Sequence, residues 1–103
     1  MEFFIQPENV TSPRQHWRLI KVLFKGDRSD AEKHNPDNYS VAVGMWDDTP
    51  CLAIRWNCSE ERPVGHPHSR GLPTWFIVPN ELREGILKTL PPDAESFARS
   101  ILR

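Results

Sequence analysis

Residues 57–73, N-C-S-E-E-R-P-V-G-H-P-H-S-R-G-L-P, hold the densest group of reactive side chains in the sequence. Cys58, His66 and His68 are ligands of the right softness for zinc, and Glu60 or Glu61 could complete a set of four. Their spacing fits no established zinc pattern, because there is no C-x-x-C pair and no pair of His four apart on a helix, and Pro67 separates His66 from His68. The expectation is no metal and no cofactor. A nucleophile fares similarly. Cys58 lies near two His, but such dyads are usually assembled from distant segments and braced by a third group. Ser69 lacks the G-x-S-x-G setting, the carboxylates form no acid/base pair, and the glycines are too scattered to cradle a phosphate. No residue is assigned a catalytic role. What this stretch can do is bind: Arg55 just ahead of it, with Arg62 and Arg70 inside it, offers forked donors for phosphate or carboxylate, and His66 and His68 add charge when protonated.

The surrounding elements must position these groups. Residues 1–13 carry Pro7, Pro13 and the cluster Phe3-Phe4-Ile5, and read as an arm. Residues 17–24, W-R-L-I-K-V-L-F, are rich in β-branched and aromatic types and too short for a helix, so they read as a strand. Residues 25–38 are polar and turn-forming. Strands are expected at 39–46 and 51–56 around a turn at 47–50, making a hairpin. The seventeen residues 57–73 form a loop of a length that is uncommon inside compact domains and often functional. A fourth strand at 74–78 stops at Pro79, and Asn80 stands where a helix N-cap belongs. Leu82, Ile86, Leu87 and Leu90 line one face of that helix, Pro91-Pro92 ends it, and Asp93 caps a last helix with Phe97, Ala98, Ile101 and Leu102 on one side. The order β-β-β-β-α-α predicts an α+β fold, a four-stranded antiparallel sheet followed by two helices packed on one face. All of it forms a single domain over residues 1–103, with the arm at 1–13, the sheet and first helix at 17–90 and the last helix at 93–103.

Strand alternation separates the two faces of the sheet. One carries Ile20, Val22 and Phe24, then Val41, Val43 and Met45, then Leu52 and Ile54, an ordinary core under helices. The other carries Trp17, Leu19 and Lys21, then Ala42, Gly44 and Trp46, then Ala53 and Arg55, with Trp75 from the fourth strand. These groupings assume strands without bulges, since a slip of one residue exchanges the faces. On the second face the small residues Ala42, Gly44 and Ala53 predict a shallow trough ringed by indoles and cations. Such a surface suits flat rings and phosphates. The competing reading is that the trough is covered by the last helix, by Phe3-Phe4-Ile5 or by a second copy of the chain, because contiguous apolar surface is rare on monomers. Of these covers, a homodimer is the favoured one.

Composition narrows the partners. With 38% hydrophobic and 26% charged residues and a net charge of -1, the 103-residue chain reads as a single soluble unit. Arg14, Arg18, Lys21, Lys25 and Arg28 against Asp27 give residues 14–28 a local +4, while residues 29–48 carry a local -4. That balance disfavours nonspecific duplex DNA binding and leaves room for a small local site. Cys51 and Cys58 are too few for a disulfide scaffold; Cys51 reads as buried and Cys58 as reachable. No apolar run reaches a membrane span, and the first residues lack the pattern of a signal peptide, so the expected location is cytoplasmic, away from membranes.

Four pieces of the chain resemble the transcriptional coactivator family known as positive cofactor four and its bacterial relatives. They are Trp46 at the hairpin turn, the strand segment Ile54-Arg55-Trp56, Arg70-Gly71 ahead of the fourth strand, and the passage from Trp75 through a cap into a helix ending near Leu90. The resemblance spans roughly residues 17–90. It implies a dimer that binds single-stranded nucleic acid across its sheet, with nucleic-acid contacts at Arg55 and Arg70 and stacking at Trp46 and Trp56. The chain departs from the family in lacking its flexible basic segment, in a longer loop before the fourth strand and in an added last helix. As a whole it also looks like small uncharacterised bacterial proteins carried on mobile gene cassettes.

The sequence therefore predicts a non-catalytic binding module for a flat or anionic ligand, single-stranded nucleic acid in its most concrete form. Its ligand-binding residues are Trp46, Arg55, Trp56, Arg62, His66, His68, Arg70 and Trp75. The alternative is a homodimeric interaction or adaptor protein of accessory bacterial function, whose aromatic face is buried against its own copy or another protein.

Overall fold

The computed structural model describes residues 5–26, 38–59 and 63–103. Phe3 and Phe4 of the arm, the loop at 27–37, and Glu60, Glu61 and Arg62 lie outside the described residues. The strands are β1 (Trp17–Phe24), β2 (Tyr39–Trp46), β3 (Thr49–Trp56), β4 (His68–Ser69), β5 (Leu72–Pro73) and β6 (Phe76–Ile77), and the helices are α1 (Arg83–Leu87) and α2 (Pro92–Leu102). The main sheet has four antiparallel strands in the order β1-β2-β3-β6, followed in the chain by the two helices, which is the α+β architecture the sequence predicts. β4 and β5 make a separate small hairpin within the long loop.

The β2–β3 hairpin is the regular part. Its pairing runs from Tyr39 opposite Trp56 to Trp46 opposite Thr49 without irregularity. The turn is only Asp47-Asp48, both with positive φ (49° and 68°), the mirror-image geometry that matches the twist of a two-residue hairpin. β3 thus starts at Thr49, two residues earlier than expected. Pro50 is tolerated there because the position next to the closing pair of such a hairpin does not donate across the ladder.

β1 is less regular. Its pairing with β2 shifts between Leu19 and Lys21 and again between Val22 and Phe24. The two bulges exchange faces within one strand. Lys21 stands opposite Val43 on the helical side, with its ammonium 4.9 Å from the Phe97 ring centre. Val22 turns to the other side opposite Ala42. This reverses the expected placement of both residues.

Two cores result. Under the helices lie Leu23, Val41, Val43 and Leu52 of the sheet with Val78, Leu87, Leu90 and Ala98. Met45, expected in this core, is half-buried near the turn. The segment after β6 forms a 3-10 turn (Asn80–Leu82) before a short α1, and Asn80 makes no side-chain cap there. Leu82, expected in the core, is exposed. Pro92 opens α2 as its first residue, where a missing N–H costs nothing, and Asp93 and Glu95 face the positive helix end. Arg99 ties α2 to α1 by donating to both carboxylate oxygens of Glu84 at 2.9 and 3.1 Å.

The second face is filled by the chain itself. Trp17 and Trp75 pack on Ala42, Ala53 and Cys51 together with Val10 and Ile5 of the arm. The Trp75 indole N–H donates to the Val10 carbonyl at 2.7 Å, and Ser12 bridges Thr74. Ala42, Gly44 and Ala53 are therefore the socket for two indoles, and the trough expected from their small size is closed within the chain. Among the described residues no helix is long and apolar enough to cross a membrane.

Two outcomes follow from this packing. A Cβ on Gly44 would sit 2.5 Å from the Trp17 ring and 2.6 Å from the Arg18 carbonyl. Gly44→Ala should therefore lower stability by about 1–3 kcal/mol, read from the urea midpoint. Cys51 and Cys58 are both free and buried, and Cys58 donates to the Ile5 carbonyl at 3.6 Å instead of lying reachable. Native protein should resist iodoacetamide at both thiols and react fully once unfolded.

Candidate functional site

Along β3, Ile54 and Trp56 point to the helical side, and the register places Phe76 beside Ile54 and Tyr39 beside Trp56. The helices cover the Val41, Val43 and Leu52 part of this face, while the far end keeps its aromatic residues open. Trp56 remains 39% exposed and Phe76 51%. Tyr39 meets Trp56 edge to face, with ring centres 6.3 Å apart at 80°. The residues 63–67 then fold back as a wall. The Trp56 N–H donates to the His66 carbonyl at 2.7 Å, and the His66 N–H donates back at 3.1 Å. Between sheet and wall lies a partly open cavity of about 370 Å³ lined by Tyr39, Ile54, Arg55, Trp56, His66, Pro67 and Phe76.

What holds the wall is Arg55. It points to the second face, and the residue is only 3% exposed. Nη1 donates to the carbonyls of Thr74 and Pro67, and Nη2 donates to the carbonyl of Val64. Burial pushes the guanidinium pKa down to about 10, with Cys58 opposing that shift. The group therefore stays cationic at neutral pH, and backbone dipoles replace the water it has lost. Gly65 passes against it with φ +69°, where a Cβ would strike the guanidinium and the Trp56 carbonyl.

The strand ends that carry Tyr39 and Trp56 are pinned by a buried polar cluster. Ser40 donates to Asn57 Oδ1 at 2.6 Å, and Asn57 Nδ2 donates to the Lys25 carbonyl at 2.8 Å and to Asn38 Oδ1 at 3.2 Å. Each group taken from water has found a partner, which is what lets polar side chains sit in this interior.

The structure gathers only part of the site expected from sequence. Trp56 and His66 line the cavity, and His68 is next to it, its ring 6.2 Å from His66 and edge-on. Arg55 also borders the cavity, but its terminal nitrogens serve the loop. Trp75 is buried on the opposite face. Trp46 lies at the other end of β2, about 24 Å from Tyr39 along an extended strand, and stacks on His16 at 5.3 Å. Trp46 and Trp56 therefore do not share a platform. Arg70 is exposed at the β4–β5 turn, and Arg62 lies outside the described residues. Tyr39, Phe76 and Pro67 were not foreseen; alternation from Trp56 to Ile54 was the available signal, and the register that sets Phe76 opposite Ile54 comes only from the fold. Among the described residues no three metal-ligating side chains gather.

Arg55→Met should remove the anchor and take the guanidinium donors from the Val64 and Thr74 carbonyls, Pro67 keeping the Thr74 N–H, lowering stability by about 3 kcal/mol or more. Arg55→Lys keeps the charge but not the fork, so it should recover only part of that loss. Urea unfolding measures the cost. Limited proteolysis should show both variants nicked within residues 63–74 under conditions that leave the parent intact.

Compared with models of known protein families, with curated proteins and with solved structures, the chain matches none, so the use of this cavity has to be inferred from its own residues.

Proposed function

We propose that this chain is a small non-catalytic binding module whose cavity takes a flat ring against Trp56, with Tyr39 and Phe76 as side walls. The observation that carries the reading is the cavity itself. It is apolar and aromatic-walled, and its volume of about 370 Å³ lies within the usual range for small-ligand clefts. Rings pack on indole and phenyl faces without needing a specific hydrogen-bond pattern. The site is pre-formed, because its wall is fastened by Arg55 and by the Trp56–His66 backbone pair, so little ordering has to accompany binding. Catalysis has little support. Both thiols are buried, and burial pushes the Cys51 thiol pKa up, away from the reactive thiolate. The two unpaired thiols also favour a reducing, cytoplasmic setting.

A base of single-stranded nucleic acid is one ring of this kind, and the resemblance to the positive cofactor four family supports it through Trp56 and Arg70. Arg55 and Trp46, the other two contacts that resemblance implies, are engaged elsewhere. The second reading, an interaction or adaptor protein, is favoured by the exposure of Trp56 and Phe76, which a protein partner or a second copy would cover. A homodimer formed through a sheet face would use this patch, since the other face is closed within the chain.

Indole N–H resonances of Trp17, Trp46, Trp56 and Trp75 separate these readings. Addition of 2-naphthamide should shift the Trp56 signal and leave Trp17 and Trp75 in place, and Trp56→Ala should weaken binding at least tenfold. A short oligothymidylate that shifts Trp56 more strongly at low salt than at high salt would favour the nucleic-acid form. No shift with either probe, together with a concentration-dependent dimer by light scattering, would move the assignment to the interaction protein.

A further inference from the structure

Resting on that reading, we infer that the ring held in the cavity carries a carboxylate, received by His66 and His68 at the cavity mouth beside the buried Arg55 cation. Three observations point to it. The cavity is lined mainly by apolar residues, and the two lining residues able to carry positive charge, Arg55 and His66, belong to its loop side. A ligand that is flat and uncharged throughout would leave that side without a complement.

The second observation is the charge of Arg55. Its terminal nitrogens are solvated by the carbonyls of Val64, Pro67 and Thr74, which supply dipoles and no net negative charge. Among the described residues, Glu8, Asp47, Glu84 and Glu95 pair with Lys25, His16 and Arg99, and none pairs with Arg55. A full positive charge is therefore held behind the loop wall of the cavity, at low dielectric. Its field reaches further there than it would in water, and it favours an anion entering the cavity.

The third is the placement of the imidazoles. The His66 backbone is fixed by two hydrogen bonds to Trp56, and this antiparallel pairing sets its exposed side chain on the same side of the sheet as Trp56. His68 stands edge-on to it with ring centres 6.2 Å apart. Two imidazole N–H donors at that separation can reach the two oxygens of one carboxylate while the ring behind it rests on Trp56. One guanidinium at a distance and two imidazoles suit a monoanion better than a dianionic phosphate, whose desolvation needs closer, stronger donors.

The test compares 2-naphthoate with its isosteric neutral partner, 2-naphthamide, by calorimetry on the intact chain. The acid is expected to bind at least tenfold more tightly than the amide. In His66→Gln/His68→Gln that ratio should fall towards one, and the single His68→Gln variant should give an intermediate ratio. Unchanged thermal unfolding of both variants establishes that they are folded. Equal affinity of acid and amide for the parent overturns the carboxylate inference while leaving the ring-binding module standing. A tenfold ratio that survives in the double variant overturns the assignment to the histidines. Failure of both probes removes the cavity reading itself.

Discussion

A single buried cation organises the functional end of this molecule. Arg55 reaches carbonyls nine, twelve and nineteen residues further along the chain, at Val64, Pro67 and Thr74. A buried guanidinium without partners would cost several kcal/mol, so the chain around it has to present acceptors. The long loop has no periodic hydrophobic pattern of its own, and among its described residues only the two-rung β4–β5 hairpin and the single Trp56–His66 bridge supply ladder pairing. Satisfying Arg55 supplies the remaining constraint. The wall of the cavity is thus a consequence of an ion's solvation, and Trp56 opposite His66 gains an edge partner through the same fold-back.

On the same face of the sheet as Arg55 the packing rule is one of volume. Gly44 and two alanines lie under Trp17 and Trp75, so large rings from β1 and the loop end occupy the space the small residues leave. The arm closes over them through Val10 and Ile5. Because the loop, the arm and β1 all meet here, this face is a structural junction. Surface available to a partner is left on the opposite face, around Trp56 and Phe76.

The β2–β3 hairpin was legible in the sequence because alternation over eight residues leaves little freedom when one face is buried, whereas the fourth strand, expected at 74–78, pairs only at Phe76–Ile77. β1 was legible as a strand but not in its faces, since nothing in W-R-L-I-K-V-L-F marks two bulges that depend on its partner's register. The turn was read two residues too long because Asp47-Asp48 lacks the usual glycine and Pro50 resembles a turn residue. Arg55 and Trp75 were identified as belonging together on the second face, but their burial depends on the loop and arm folding back over that face. Local pattern does not encode such long-range closure. Cys58 was misjudged for the same reason: its thiol is buried and meets the Ile5 carbonyl of the arm. Tyr39 and Phe76 were missed because each reads as an ordinary strand aromatic until the extent of helical cover is known.

That extent follows from element lengths. Eight-residue strands extend about 27 Å, whereas the eleven residues of α2 span about 16 Å and α1 adds scarcely more than a turn. Two such helices cannot roof the whole sheet face. Val41, Val43 and Leu52 fall under them, and the remaining end has to be finished by side chains wide enough to shield it partly on their own. Tyr39, Trp56 and Phe76 are of that kind, and the loop held by Arg55 stands beside them in place of a third helix. A wall of backbone and aromatic rings packs less completely than a helix would, so the shortfall in helical cover becomes an open, apolar cavity. The cavity is therefore built into the proportions of the fold, and a longer α1 laid over Trp56 would close it.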